Sequence, residues 1–294
     1  MKPAPFEYYV PDSMEQALDL LREHGDTAKL LAGGQSLVPT MNFRVAQPGV
    51  LIDLNRVGEL RYIRSDDTAL HIGAMTRERE LEFDPVIARK APLLTEAMPH
   101  VAHPQIRNRG TLGGSLANAD PAAELPVIML ALGARLKVHK ADGERWVNAQ
   151  DFFVGMFVTA LGADEMLVEI ELPPTSPRTG WSFMEVAPRA GDYALMGVAA
   201  LVTLDEDRRC TQARLVYLNA GDGPVEAQEA GDVLEGKMPD AESIEEAAKL
   251  ASQKEINPFG NIHASPEFQR HLAQVLTRRT LNQALERASQ DVLQ

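Results

Sequence analysis

The sequence predicts an α+β protein built in two parts. Three observations carry this. Strand-like and helical runs mix irregularly in the first part, with no internal repeat. Pro173-Pro174-Thr175-Ser176-Pro177 reads as a boundary. Beyond it come three strand-like runs, near 181–187, 197–204 and 213–219, and then only helices. The expected domains are 1–176 and 177–290, and the first divides at about residue 57 into subdomains 1–57 and 58–176.

The elements follow in chain order. Ser13 and Gln16 form a capping-box pattern before Ala17, Leu20 and Leu21 at helical spacing, with Gly25 as the stop. Ala28–Ala32 reads as a short buried strand running into Gly33-Gly34-Gln35-Ser36-Leu37, and a second strand follows at Val50–Leu54. Residues 60–73 suggest a hairpin around Asp66-Asp67. A helical stretch from Thr76 to about Val101 is punctuated by Pro85, Pro92 and Pro99. Next comes a second glycine segment, Arg109-Gly110-Thr111-Leu112-Gly113-Gly114-Ser115. Asp120, Pro121 and Glu124 then spell a helix start: cap, first position and acidic first turn. Leu125, Ile128, Met129 and Leu132 supply its apolar face. A hairpin at Asp142-Gly143 and a strand at Leu167–Leu172 close the first part. The last helices are expected at about 225–235, 240–253 and 265–287.

Composition excludes several functions. The net charge of −13 disfavours a nucleic-acid binder, which needs a basic face. No apolar run approaches the ~20 residues that span a bilayer. The first residues lack the charged-then-apolar pattern of a signal peptide, so a cytoplasmic place is expected. Cys210 is the single cysteine, so this chain alone cannot hold an iron–sulfur cluster, which takes about four thiolates. The histidines show no metal-ligand spacing, and no metal site is expected. No nucleophile-and-base arrangement stands out, so no catalytic side chain is assigned.

The two glycine loops carry the chemistry. Glycine pairs let a ligand approach the backbone, and successive N–H groups can form an anion nest. Each loop adds a hydroxyl residue, Ser36 in the first and Thr111 and Ser115 in the second. Alone, either loop also reads as a plain tight turn. Together they suggest one extended diphosphate between them. Neither a phosphate-binding P-loop pattern nor GxGxxG is present, so the residues by themselves stop at a dinucleotide-like ligand on an uncommon fold.

Leu31–Leu37 and Thr111–Pro121 strongly resemble the two FAD loops of the medium subunits of the xanthine dehydrogenase/carbon monoxide dehydrogenase family, the molybdenum hydroxylases. Arg189-Ala190-Gly191-Asp192-Tyr193-Ala194 is similar to that family's GD(F/Y)A segment, and His263–Arg270 with Arg278-Arg279 to its C-terminal helix. The resemblance runs nearly the full chain.

It implies a two-subdomain FAD-binding fold of the vanillyl-alcohol-oxidase type, followed by a C-terminal domain of a three-stranded antiparallel sheet and helices. Leu30, Leu31, Ala32, Gly33, Gly34, Gln35, Ser36 and Leu37, with Thr111, Leu112, Gly113, Gly114 and Ser115, would cradle the pyrophosphate. Asn118, Asp120 and Glu124 would lie near the ribose or diphosphate, although helix capping serves Glu124 equally well, and its charge should not touch phosphate. Val101 would join the cofactor-binding set, Leu161 would pack near the flavin ring, and Tyr193 would gate it, unless it is a core aromatic. FAD would be held non-covalently, leaving His100 and His103 unattached. Many relatives carry a lysine in the strand before the GD(F/Y)A segment; here the stretch is Phe183-Met184-Glu185-Val186.

The implied function is electron transfer. A large partner subunit would hold molybdopterin, and a small one two [2Fe-2S] clusters. This chain would take their electrons onto FAD and pass them to NAD, a quinone or oxygen, within a dimer of heterotrimers. A self-sufficient FAD oxidase or reductase of the same fold is the alternative.

Overall fold

The computed structural model describes residues 1–290. Three sheets succeed one another along the chain. The first is small and parallel. Its strands β1 (Glu7–Tyr9), β2 (Ala28–Leu31) and β3 (Val50–Asp53) take the order β1-β3-β2. Helix α1 (Met14–His24) and helix α2 (Leu37–Asn42) make its crossovers. Helix α1 buries Ala17, Leu18 and Leu21 on one face. Ser13 Oγ caps it by accepting from Gln16 N at 3.2 Å, but the Gln16 side chain accepts from Asp12 N rather than from Ser13, so the box closes one residue early. Gly25, at φ 49°, ends the helix.

The second sheet is antiparallel and five-stranded. It comprises β4 (Ile63–Ser65), β5 (Leu70–Gly73), β6 (Arg135–Lys140), β7 (Gly143–Asn148) and β10 (Met166–Leu172), in the order β4-β5-β10-β6-β7. The short strands β8 (Phe153–Gly155) and β9 (Val158–Thr159) form a separate hairpin. Between β5 and β6 the chain runs through α3 (Glu78–Phe83), α4 (Pro85–Lys90), α5 (Pro92–Ala97), α6 (Pro104–Arg107), α7 (Leu112–Asn118) and α8 (Glu124–Ala131). The single helical stretch expected over 76–101 is therefore cut into pieces. Pro85 and Pro92 each open a new helix, because a proline lacks the N–H that an interior position needs. Pro99 sits in a 3-10 turn, Met98–His100. Helix α8 is buried on all sides, so it has no polar face. Helix α9 (Ala149–Phe152) packs beside β6 and β7.

The third sheet corrects an expectation. It has four antiparallel strands, not three: β11 (Thr179–Val186), β12 (Met196–Leu204), β13 (Cys210–Leu218) and β14 (Val225–Glu226). The extra strand occupies the start of the stretch expected to be helical from about 225, and α10 (Gln228–Asp232) begins only after it. Side chains alternate across this sheet with period two. Val198, Ala200, Val202, Leu215 and Tyr217 face one core with α10, α11 (Ala241–Leu250) and α12 (Pro266–Gln290). Phe183, Ala199, Val216 and Leu218 face the other, shared with α5, α7, α8 and the second sheet. Helix α12 lies close to β11: a Cβ on Gly180 would stand 1.8 Å from Ala284 O. Cys210 is buried at the start of β13, as a structural thiol should be, and burial pushes it up to about 11.

Candidate functional site

The two glycine loops, nearly eighty positions apart in sequence, lie against each other. A Cβ on Gly114 would be 3.2 Å from Ala32 Cβ and 4.0 Å from Gly33 N. A Cβ on Gly33 would be 2.4 Å from Arg109 O. Glycine at 33 thus serves loop-to-loop packing, whereas Gly34, at φ 73°, supplies the left-handed turn that leads into α2.

The loops differ in what they offer a ligand. Among the described residues, none accepts a hydrogen bond from the N–H of Gly33, Gly34, Gln35, Ser36 or Leu37. Ser36 sits at the cap position of α2 without bonding it. In the second loop, Leu112 N donates to Thr76 O at 3.0 Å and Gly113 N to Ala74 O at 2.8 Å. Thr111 Oγ1 caps α7 by accepting from Gly114 N at 3.2 Å. The two loops therefore differ: the first presents free donors, and the second spends its leading amides on the turn that follows β5. A diphosphate suits the first loop, since buried or ligand-facing amides need acceptors.

Arg77 joins the loops. Its guanidinium donates to Arg109 O and, at 2.6 Å, to Asn55 Oδ1, while Asn55 Nδ2 donates to Ala32 O at 3.0 Å. Burial lowers the Arg77 pKa, with Arg109 adding to the effect. Beneath the second loop, the carboxylate of Glu78 packs against Gly110, and its Oε2 has no partner. Burial pushes this group up to about 7, against the pull of Arg107 and Arg77. None of Arg77, Asn55 or Glu78 stands in a pattern that the sequence would single out.

Helix α7 leads from the loops to the second group of expected residues. Its seven residues span about 10 Å. Asn118 is its last residue, and Ala119 ends it in the left-handed region. Asp120 is not a helix cap. It makes a local turn, accepting from Ala122 N at 3.0 Å, and α8 starts at Glu124 after Ala123. Glu124 is the buried first residue of α8. Asn219 N donates to Pro121 O, and Asn219 Nδ2 to Ala194 O at 2.9 Å, which brings the Tyr193 segment to this helix junction. Gln269 Nε2, from α12, holds Leu195 O.

Tyr193 itself is 71% exposed, so it is not a core aromatic in this chain. Its hydroxyl is raised, first by partial loss of water around that group and then by Asp120 and Glu124. Val101 is buried, and the following Ala102 and His103 pack against Gly191. Leu161 packs half-buried on the main core just after the β8–β9 hairpin, whose Phe157 N donates to Ala119 O. Leu30, Leu31 and Gln35 belong to the first loop and its strand, and Gln35 Nε2 donates to Gly33 O. Direct contacts thus join the first loop, the second loop with α7, and the Tyr193 segment into one band.

Comparison with known proteins follows this band. The profile of the family described as "FAD binding domain in molybdopterin dehydrogenase" matches residues 4–175, and that of the "CO dehydrogenase flavoprotein C-terminal domain" matches residues 181–284. The subunit alpha of the 6-hydroxypseudooxynicotine dehydrogenase complex of Paenarthrobacter nicotinovorans is 43% identical, over 98% of this chain and 97% of that relative. Caffeine dehydrogenase subunit beta of a Pseudomonas species is 38% identical over 98% of this chain and 97% of its own. Among solved structures, a carbon monoxide dehydrogenase from Hydrogenophaga pseudoflava superimposes with a TM-score of 0.95 at 36% identity, covering 98% of this chain and 99% of the other. With both profiles in order and full-length relatives above 30%, the chain belongs to the family of FAD-binding medium subunits of carbon monoxide/xanthine dehydrogenase-type molybdenum hydroxylases.

Proposed function

We propose that this chain carries FAD in a heteromeric molybdenum hydroxylase, taking electrons from [2Fe-2S] clusters on a partner subunit and passing them to an external acceptor. The observation that carries the reading is the contact between the glycine loops, with five consecutive free amides, Gly33 to Leu37, on the first. When bound, the flavin supplies the redox chemistry. The chain supplies binding, orientation and electrostatics. In this reading Leu30–Leu37 hold the diphosphate, Thr111–Ser115 form the wall behind it, and Asn118 and Asp120 lie along its extension. Tyr193 and Leu161 stand by the ring, with Val101 behind the Tyr193 loop. Glu124 is buried, so it acts on the site through its charge state.

The domain division belongs to the same reading: 1–176 for FAD binding, and 177–290 to cover it. So do a large molybdopterin subunit, a small [2Fe-2S] subunit, a dimer of heterotrimers in the cytoplasm, and non-covalent FAD. NAD, a quinone or oxygen would take the electrons. Purification of the complex from its host tests all of this. The expected result is one extractable FAD per chain, with molybdenum and iron retained by the co-purifying subunits. A chain that isolates alone and oxidises a substrate without those metals would establish the self-sufficient oxidase instead.

A further inference from the structure

Two carboxylates and an imidazole stand on three elements that pack together, for α5 lies against both α8 and β11, and β11 adjoins the Tyr193 segment through Leu195 N, which donates to Val186 O. His100 ends the turn after α5, Glu124 opens α8, and Glu185 stands on β11. His100 Nδ1 lies 3.3 Å from Glu185 Oε1, and its ring packs edge-on to Phe183. The Glu185 side chain is only 4% exposed, yet its Oε2 has no hydrogen-bond partner. A buried acceptor left open in this way is destabilising, so it calls for a role. Glu124 is 7% exposed.

Charges report how closely the three are linked. Burial first, and then Glu185, push Glu124 up to about 8, while His100 pulls it down. The hydrogen bond to Glu185 raises His100 despite burial, with Glu124 and Glu96 adding to the rise. The other facing groups add little positive charge. Glu78, from α3, raises Glu124 further. Glu96, on α5, is engaged by Arg287 and by Phe183 N. Asp120 and Glu124 both raise the Tyr193 hydroxyl, so negative charge faces this segment too. Arg214 reaches only the far end of α8, at Ala131 O, and is paired with Glu226.

We propose that Glu124, Glu185 and His100 form one shared proton store beside the flavin site, which takes a proton from solvent when electrons reach the flavin and returns it when they leave. The inference rests on the placement of FAD given above. Negative charge arriving in a low-dielectric site raises the proton affinity of nearby carboxylates. The proton comes from water and adds to a carboxylate oxygen or ring nitrogen; the electrons come from and return to the redox partners of the reaction. The His100 side chain, 38% exposed, links the store to solvent, and Glu185 Oε2 is the open acceptor.

The test uses the purified complex. Flavin midpoint potential is followed against pH by spectroelectrochemistry, and proton uptake on reduction is followed with an indicator dye in weak buffer. The wild type should show a bend near pH 8 and an extra, fractional proton taken up there. Glu124→Gln should abolish both with flavin still bound. Glu185→Gln should lower the His100 titration, read by NMR, and shrink the uptake. In the flavin-free full chain, infrared spectra should show a protonated-carboxyl band that Glu124→Gln removes. Where Glu124→Gln loses its flavin, Glu185→Gln decides. A flavin-bearing complex whose bend and uptake survive both substitutions overturns this inference alone. A wild-type complex without flavin overturns the placement of FAD and the inference with it.

Discussion

Gly33 and Arg109 meet backbone to backbone: a Cβ on Gly33 would stand 2.4 Å from the Arg109 carbonyl oxygen and 2.8 Å from Gly110 Cα. Neither of those atoms can swing aside. Gly33→Val, and even Gly33→Ala, should therefore part the two loops and abolish FAD retention, measured as flavin absorbance per chain after gel filtration. Gly114→Val should do the same, through Thr111 Oγ1 at 2.6 Å and Ala32 Cβ. Full flavin occupancy in both valine variants would refute the paired-loop site. Because the contacts are within the protein, the loss should appear as lower stability in the flavin-free chain too.

Arg77 should behave as a clamp. Arg77→Ala removes the donor to Arg109 O and frees Asn55, which holds Ala32 O. A charge-assisted hydrogen bond contributes about 1.5–3 kcal/mol. FAD affinity should fall by roughly ten-fold or more by the same scale. Arg77→Lys should recover little, since an ammonium cannot reproduce two divergent donors. Titration of the apo-complex with FAD measures this, and wild-type affinity in Arg77→Ala would remove Arg77 from the site.

Glu124 makes folding stability depend on pH with a definite sign. Its carboxyl is raised from the ordinary 4.5 to about 8, so the folded chain binds the proton that the unfolded chain releases. Its contribution is fullest below the ordinary value and is lost as pH rises through about 8. The slope is at most about 1.4 kcal/mol per pH unit in that window. Glu124→Gln should flatten that part of the curve in urea unfolding of the full chain. Curves that stay parallel across the window would show that Glu124 is ionised when folded.

Gly180→Ala should loosen the C-terminal domain. The new methyl would meet Ala284 O and Ala288 N, both backbone atoms of α12. Overpacking against fixed atoms is destabilising by about 3 kcal/mol. The expected readout is a lower urea midpoint, with α12 amides exchanging faster. An unchanged midpoint would mean that the helix shifts freely on the sheet.

Much of this was legible from residue order. The apolar runs near 197–204 and 213–219 announced strands, and Ser13 and Gly25 marked both ends of α1. The glycine loops were visible because their chemistry is local. Arg77, Asn55 and Glu78 were not, because an arginine or an asparagine after a strand has no pattern until folding supplies its partner. His100, Glu124 and Glu185 come from three separate elements, so only packing reveals them. Asp120 misled for a physical reason: a carboxylate that caps a helix and one that closes a local turn take the same nearby N–H groups. The strand Val225–Glu226 has two residues, too few for a period to show.

The position of α12 sets an order of events during synthesis. It covers β11 and β12, which leave the ribosome some eighty residues earlier. The glycine loops, Arg77 and the second sheet are all complete once β10 has emerged at Leu172. N-terminal units fold first as a chain is made. The residues of the cradle have therefore all emerged while one apolar face of the third sheet still waits for its cover, and that face stays open until the last helix is made.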